Sequence, residues 1–459
     1  MKRTTILFPT LAIAIIMAVV PAARVGADPK APVHTGKHVS GAAQLHAPAN
    51  GGRAGGGTAC STPGGGNYLV NCHGSGAPVN EPSIASSGGL IIVGANDFNS
   101  YNGFSQNGFY WSFDGKTWND AGPIDLNPHA PTNAASDSGV AFDSRGVAYY
   151  SSAFYDPYDC TVGSAVLLRG QLVKGSWSWN RTQIETNSLS LFHDKPSVAV
   201  GGKQVYVSWT AFDSCAGGGQ SPIKVAVLAT GAVASSPTAI LSVPGSQFSQ
   251  GSAMAPDGAG GFWITWEEFP TGSATIGSIK IAHYTRSGWD LSSVNVISPA
   301  GFADLANPLP GFRFRTDSFP AIAMTSNGPI VAWTSNDSGV GRAYLWSQPA
   351  GATAISPTGG DQFFAAVAPD TSGGVYVSFS QTDPATSSFD EYVWHQGSVV
   401  KVSTAPSFPN NDTFFNGGFI GDYNSMTSLG ANARTAWADI RTAEAVHSGF
   451  ETDVMTASP

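Results

Sequence analysis

The sequence has little charge and few basic residues. Only 12% of its 459 residues are Asp, Glu, Lys or Arg, and the formal net charge is −9. A nucleic-acid partner is therefore not expected, because phosphate backbones are bound by basic surfaces. Apolar runs long enough for a transmembrane helix are also lacking beyond the N-terminus. Sparse charge combined with 55 Gly and 30 Pro indicates many turns and little helix surface.

The N-terminus has the pattern of a secretory signal. Lys2 and Arg3 precede a short apolar stretch at 6–20, and small residues follow it. This predicts a signal peptide over 1–27 and a secreted, extracellular protein with no transmembrane segment after cleavage. An uncleaved anchor is the alternative. Residues 28–66 are rich in Gly, Pro and Ala, which predicts a flexible tether.

Cysteine is scarce, and its pattern favours disulfides. The four residues are Cys60, Cys72, Cys160 and Cys215. An even count in an exported chain indicates disulfide bonds. Pairing each cysteine with its nearest neighbour in sequence predicts Cys60–Cys72 and Cys160–Cys215. Neither pair has the spacing of a metal site, so no cofactor is expected to be required.

What the chain does have is a repeat. A polar opening, an apolar strand, a Gly turn and an aromatic-rich strand recur seven times, as in "NEPSIASSGGLIIVGAND" from Asn80 and "HDKPSVAVGGKQVYVSWTAFD" from His193. Each copy predicts a hairpin, and a second hairpin fits after it. Four strands in each of seven units predict an all-β, seven-bladed β-propeller over residues 67–459. A six-bladed ring, a β-helix and two packed sandwiches are the alternatives.

The two ends of the chain are predicted to close the ring together. The last repeat ends after "ETDVMTAS" and lacks an outer strand, which "NYLVNCHG" before the first repeat can supply. Pairing strands from both termini in one blade removes the free sheet edges.

Each repeat begins with a hairpin whose first strand is predicted to line the central channel of the propeller. The polar residues at the start and end of this hairpin are predicted to meet at one mouth of the channel. Carboxylates from different blades suit acid–base chemistry on a glycosidic bond, and crowding raises some of their pKa values. The alternatives are turn caps and a Ca²⁺ site, because Asp and Asn commonly end strands and oxygen-rich clusters suit this cation. The candidates for catalysis are Asp137, Asp194, Glu267, Arg315, Asp422 and Tyr423, and those for substrate binding are Glu81, His193, Gln250, Asp361, Arg441, Tyr155 and Phe104.

The stretch "SFDGKTW" at 112–118 resembles the Asp-box of the sialidase-like (BNR-repeat) β-propeller family, written Ser-x-Asp-x-Gly-x-Thr-Trp. One residue is missing here after Asp114. The repeat rhythm "PSIA…VYVSW" and the closing "GDYNSM…TAWADIR" carry the rest of the resemblance. In that family the box is a structural turn facing away from the active site. The resemblance implies this role for Ser112, Asp114, Gly115 and Trp118.

The resemblance extends only partly to sialidase chemistry. Sialidases use three Arg, a Tyr nucleophile assisted by a Glu, an Asp acid/base and a Phe/Tyr-Arg-Ile-Pro motif near the first blade. That motif is absent here and the first blade has no Arg, although Tyr423 with Glu267 or Glu268 could mimic the Tyr–Glu pair. We therefore expect a secreted, monomeric, glycan-acting propeller that is a glycoside hydrolase or lyase rather than an exo-sialidase. The alternative is a non-catalytic carbohydrate- or protein-binding propeller at the cell surface.

Overall fold

The computed structural model describes residues 58–60, 65–72, 77–99, 105–124, 134–156, 159–214, 220–231, 233, 235–270, 276–287, 291–355, 359–441 and 451–459. Within these ranges the regular structure is β-strand, with a single 3-10 turn at Pro409–Asn411. The strands are β1 (Thr58–Cys60), β2 (Tyr68–Leu69), β3 (Val79–Ser87), β4 (Leu90–Asp97), β5 (Gln106–Ser112), β6 (Trp118–Pro123), β7 (Ala134–Phe142), β8 (Ala148–Asp156), β9 (Asp159–Val173), β10 (Ser176–Thr186), β11 (Phe192–Gly201), β12 (Gln204–Phe212), β13 (Ile223–Ala229), β14 (Ala239–Ser242), β15 (Ser249–Pro256), β16 (Phe262–Glu268), β17 (Ser278–Tyr284), β18 (Leu291–Val296), β19 (Ala321–Thr325), β20 (Gly328–Asp337), β21 (Val340–Ser347), β22 (Gly351–Ala354), β23 (Gln362–Pro369), β24 (Val375–Asp383), β25 (Ser388–His395), β26 (Ser398–Lys401), β27 (Ser425–Leu429), β28 (Asn432–Asp439) and β29 (Asp453–Ala457).

These strands form seven antiparallel sheets, which confirms the predicted seven-bladed β-propeller. In each sheet the strand that opens the sequence repeat lies at one edge. These edge strands contact one another in sequence order around the ring, and the last contacts the first. They therefore line a central channel, with the outer strands of each blade directed away from it. The inner strands are β3, β7, β11, β15, β19, β23 and β27.

The ring is closed by both ends of the chain, as predicted. Strand β2 pairs with β29, so Tyr68 lies opposite Thr456 and Leu69 opposite Met455. The last blade thus combines one early strand with the three final strands. The first blade has a fifth strand, because β1 pairs with β6 even though its residues fall in the range predicted as tether.

One predicted disulfide lies at this seam. Cys60 on β1 is bonded to Cys72, with the two Cα atoms 5.3 Å apart. The bond ties the fifth strand of the first blade to the segment that follows β2. The predicted Cys160–Cys215 bond lies outside the described residues, because Cys215 is not among them and nothing is described of the Cys160 side chain.

The blades are held together by large side chains packed between them. Trp209, Trp266, Trp333 and Trp437 occupy the same place in the second strands of four blades, and all are fully buried. Burial of such an indole removes a large apolar area from water, and this is the main stabilising contribution available to a sheet-on-sheet fold. Large buried residues of the core therefore recur at the same spacing as the sequence repeat. Among the described residues, no helix is long and apolar enough to cross a membrane.

Candidate functional site

The inner strands carry a β-bulge close to the mouth of the channel. The pairing register shifts near the start of β3, β7, β11, β15 and β23. The bulged residue has positive φ in each case: 54° for Glu81, 60° for Asp137, 49° for Lys195, 65° for Gly251 and 54° for Phe364. Non-Gly residues rarely adopt this conformation, and bulges change the direction of a side chain. In four of these blades the bulge thus presents a different side chain, and in the fourth blade the bulged residue is Gly251.

Glu81 is the most deeply enclosed of these side chains. Its Oε1 accepts a hydrogen bond of 3.1 Å from the Asp422 backbone N–H, and its Oε2 accepts one from Asn96 Nδ2. Burial raises the pKa of the Glu81 carboxyl well above its usual range. The nearby charges of Asp137 and Asp422 raise this pKa further, and those of Arg315 and Lys195 oppose the rise. Burial therefore favours the protonated form of Glu81.

Asn96, at the end of β4, connects Glu81 to Asp137. Its Oδ1 accepts a 2.9 Å hydrogen bond from the Asp137 backbone N–H, while its Nδ2 donates to Glu81. The Asp137 carboxylate accepts a 2.9 Å hydrogen bond from Ser136 Oγ. One amide side chain therefore fixes two acidic residues that come from neighbouring blades.

Arg315 and Asp422 form a two-pronged ion pair beside Glu81. Arg315 Nε donates to Asp422 Oδ1 at 2.7 Å, and the Nη2 group contacts Oδ2. The guanidinium also lies 5.2 Å from the ring centre of Phe419. Burial alone would lower the pKa of Arg315, but the Asp422 carboxylate raises it above its ordinary value. Such bidentate pairs are geometrically rigid, so Asp422 holds its backbone N–H against Glu81.

Tyr423 and Lys195 lie against each other at the same place. The Lys195 ammonium is 3.3 Å from the Tyr423 ring centre, and the Tyr423 hydroxyl donates to the Ser138 carbonyl at 3.4 Å. Burial raises the pKa of Tyr423 well above its usual range, and the carboxyl groups of Glu81 and Asp137 raise it further. Phenolate formation is therefore opposed. Burial lowers the pKa of Lys195, against the effect of the same acidic residues.

A cavity of about 180 Å³ occupies the channel next to this cluster. Lys195, Phe319 and Tyr423 line one end of it, whereas Glu81 and Asp137 do not line it and are 0% and 1% exposed. A ligand in the cavity thus meets Lys195 and Tyr423 first. Much of the remaining wall is one ring of small residues and one of aliphatic residues: Ser83, Gly139, Ser197, Ala253, Ala321, Ala366 and Ser425, then Ile84, Val140, Val198, Met254, Ile322, Val367 and Met426. Polar side chains of Ser138, Ser252 and Asn424 also line the cavity.

The structure therefore gathers four of the six predicted catalytic residues, namely Asp137, Arg315, Asp422 and Tyr423, around Glu81. Asp194 instead accepts a 3.2 Å hydrogen bond from Gln250 Nε2. Glu267 lies opposite Gln250 on the neighbouring strand and is fully buried. The Asp194–Gln250 hydrogen bond thus connects the third and fourth blades.

The other predicted binding residues are engaged in local contacts. Buried His193 contacts Asn187 and, through Nε2 at 2.9 Å, Glu185. Asp361 accepts a 2.7 Å hydrogen bond from the Gly341 N–H, and Tyr155 is buried at the end of β8. Arg441 donates to Asp439 and to Asn67, tying the last blade to the segment before β2. Phe104 lies outside the described residues.

The segment at 112–118 forms a turn at the end of the blade opposite the mouth. Asp114 Oδ1 accepts 2.7 Å hydrogen bonds from the backbone N–H groups of Lys116 and Thr117, and Ser112 Oγ accepts one of 2.9 Å from that of Gly115. Slight burial acts to raise the pKa of Asp114, but these hydrogen bonds lower it to about 2. Gly115 has a φ of +67° and leaves no room for a Cβ, which would lie 2.7 Å from Arg434. Trp118 is fully buried.

Lys195 and Asn96 belong to the cluster but were not among the predicted catalytic or binding residues. The position of Lys195 beside a Pro suggests a solvated turn, and a long basic side chain is usually exposed. Aligning the repeats on Pro82 and Pro196 would have placed Lys195 at the same position as Glu81.

Within the described ranges, one group of three or more His, Cys or carboxylate side chains has its ligand atoms within 4.8 Å of one another, and it is formed by Cys60, Cys72 and Asp120. The two cysteines are bonded to each other, so their sulfurs are not thiolate ligands. The calcium alternative stays a prediction.

No family model matches the chain, and a search of curated proteins found no match. Among solved structures, the chain is similar to a Dyadobacter fermentans protein of unknown function (11% identity, TM-score 0.45, covering 86% of this chain and 97% of that one). It is also similar to Trypanosoma rangeli sialidase (11% identity, TM-score 0.40, covering 87% of this chain and 59% of that one). A third similar structure is the Fusarium graminearum GH93 α-L-arabinofuranosidase (10% identity, TM-score 0.45, covering 73% of this chain and 98% of that one). Identities and TM-scores this low carry no argument about function.

Proposed function

We propose that this propeller hydrolyses a glycan at the mouth of its channel, with Glu81 as general acid and Asp137 as the second carboxyl group. The observation that carries the proposal is that acidic residues of three blades, Glu81, Asp137 and Asp422, converge there. Two other predicted carboxylates on this face make hydrogen bonds away from the cluster, Asp194 with Gln250 and Asp361 with Gly341.

The electrostatics support a division of roles. A general acid must be protonated at working pH, and burial beside Asp137 and Asp422 raises the pKa of Glu81. Asp422 is engaged by Arg315 and so serves to position Glu81 through its backbone N–H. Asp137 is the remaining carboxyl group for the base or nucleophile role. Tyr423 is less suited to act as nucleophile, because the same acidic groups oppose loss of its proton.

A non-catalytic, glycan-binding propeller is the second candidate. It is favoured by one observation: Glu81 and Asp137 have almost no exposed surface, and neither lines the cavity. Hydrolysis requires Lys195 or Tyr423 to move so that a glycosidic oxygen reaches Glu81. Binding without turnover requires no such movement.

A panel experiment separates the two candidates. Purified protein is incubated with plant, bacterial and animal polysaccharides, and both retained glycan and new reducing ends are measured. Glu81→Gln and Asp137→Asn should each lower release by about 10²-fold or more. Glu391→Gln is the matched control, because Glu391 is equally buried but lies between the sixth and seventh blades, where it bonds to Ser380 and Thr435. Binding with no release by the wild type would support the second candidate, and release unchanged in both site variants would refute the roles assigned here.

A further inference from the structure

The Lys195 ammonium group is short of hydrogen-bond acceptors. It makes no hydrogen bond to any other described residue, and no described carboxylate oxygen lies within 4.0 Å of it to form an ion pair. Its close neighbours are instead the rings of Tyr423, at 3.3 Å, and Phe319, at 5.9 Å. An ammonium has three N–H donors, and Lys195, which is half-buried, can present them to the cavity that it lines. Because Lys195 lines the cavity, a ligand there can supply the acceptors.

The charges around Lys195 determine which acceptors are suitable. Asp137, Asp422 and Asp194 all act on the ammonium from a distance, and Arg315 already balances Asp422. With Arg315 balancing Asp422, the carboxylates of Asp137 and Asp194 already exceed the single positive charge of Lys195. A ligand carboxylate would add a further negative charge to this half-buried site, where it would be repelled and would lose hydration. A hydroxyl oxygen accepts the same hydrogen bonds without adding charge.

The walls and size of the cavity restrict the ligand further. Next to Lys195 are two aromatic rings, then small residues, then aliphatic residues such as Val198 and Ile322. Such walls suit the C–H faces of a compact ring with hydroxyls on its edge. The cavity volume of about 180 Å³ has room for a compact ligand of the size of one monosaccharide unit.

We infer that the channel cavity is a subsite for one uncharged sugar unit, and that Lys195 selects it by donating hydrogen bonds to its hydroxyl groups. The choice of a sugar rather than another polyol rests on the proposed function. The preference for an uncharged ligand does not, since it follows from the charges around Lys195.

The test compares neutral sugars with the acids derived from them. Binding of glucose, glucuronate, galactose and galacturonate to the wild-type protein is measured by calorimetry and ligand-detected NMR. At least one neutral sugar should bind, and its uronate should bind at least about tenfold more weakly. Lys195→Met should abolish binding, whereas Lys203→Met, in the exposed turn between β11 and β12, should leave it unchanged.

Three results would overturn the inference. These are uronates binding as tightly as the neutral sugars, undiminished binding by folded Lys195→Met protein, or no binding of either neutral sugar at tens of millimolar. The comparison within the wild type decides the matter even if Lys195→Met does not fold. Neutral-sugar binding in a protein that releases nothing from any polysaccharide would refute hydrolysis while leaving the subsite intact.

Discussion

Glu391 provides a quantitative test of the electrostatics in the propeller interior. It lies on β25, fully buried, with Oε2 accepting a 2.7 Å hydrogen bond from Ser380 Oγ and Oε1 accepting a 3.0 Å hydrogen bond from Thr435 Oγ1. Burial raises the pKa of this carboxyl from 4.5 to about 8, although the hydroxyl donors oppose the rise. The folded protein therefore keeps Glu391 protonated at neutral pH.

The pH dependence follows from linkage. Because the folded pKa is above the unfolded one, the contribution of Glu391 to stability is fully present below pH 4.5 and is lost as the pH rises toward 8. Each pH unit in this window lowers the free energy of unfolding by about 1.4 kcal/mol, so the loss totals about 5 kcal/mol. Glu391→Gln removes the titrating group and keeps the shape and hydrogen-bonding capacity of the side chain. The free energy of unfolding of the variant should therefore lack this slope.

The assay is urea unfolding of both proteins between pH 4 and pH 9, followed by tryptophan fluorescence. Subtracting the two free energies at each pH cancels the groups that the proteins share. The difference should change by about 5 kcal/mol in favour of the variant, mostly between pH 4.5 and 8. A difference that stays constant across this range would show that Glu391 titrates alike in both states, and would refute the reasoning for buried carboxyl groups, Glu81 included.

Two further predictions concern the seam and the turn of the first blade. Replacing Cys60 and Cys72 by Ala should lower the free energy of unfolding by about 3 kcal/mol, because the bond closes a loop with a sequence separation of 12; reduction without loss of stability would contradict this. Asp114→Ala should cost about 1–2 kcal/mol in urea unfolding, because it removes the acceptor of two backbone N–H groups. Glycan binding and release by the folded variant should not change, since the turn is at the opposite end of the blade, and a selective loss of either would contradict its structural role.

The architecture could be predicted because one sequence pattern recurs at a regular spacing along the chain. Each repeat carries its own turn glycine and its own buried residues, so seven copies in sequence become seven sheets. The ring closure was also predictable, because the last repeat is short of one strand and the segment at 67–74 supplies a matching run. The strand at Thr58–Cys60 was not, since three residues in a Gly-rich segment show no period of their own.

The site was predictable only in part. Strand direction brings Asp137, Arg315 and Asp422 to one mouth, but it does not show which side chains meet. The meeting depends on bulges at Glu81, Asp137 and Lys195, where residues with a Cβ adopt positive φ. Sequence does not reveal this conformation unless Gly marks the position, as at Gly251. Asp361 illustrates the opposite error, because it opens its repeat in sequence but lies three residues before the bulged Phe364 and bonds to Gly341 instead.

The most direct test of the proposed hydrolysis compares two leaving groups on the same sugar. A general acid is needed when the departing oxygen is strongly basic and is nearly dispensable when it is a dinitrophenolate. If Glu81 is that acid, Glu81→Gln should lower kcat/KM by about 10²-fold or more on an alkyl glycoside of the sugar that the protein releases, and far less on its dinitrophenyl glycoside. Equal losses on both substrates, or no loss on either, would contradict the account.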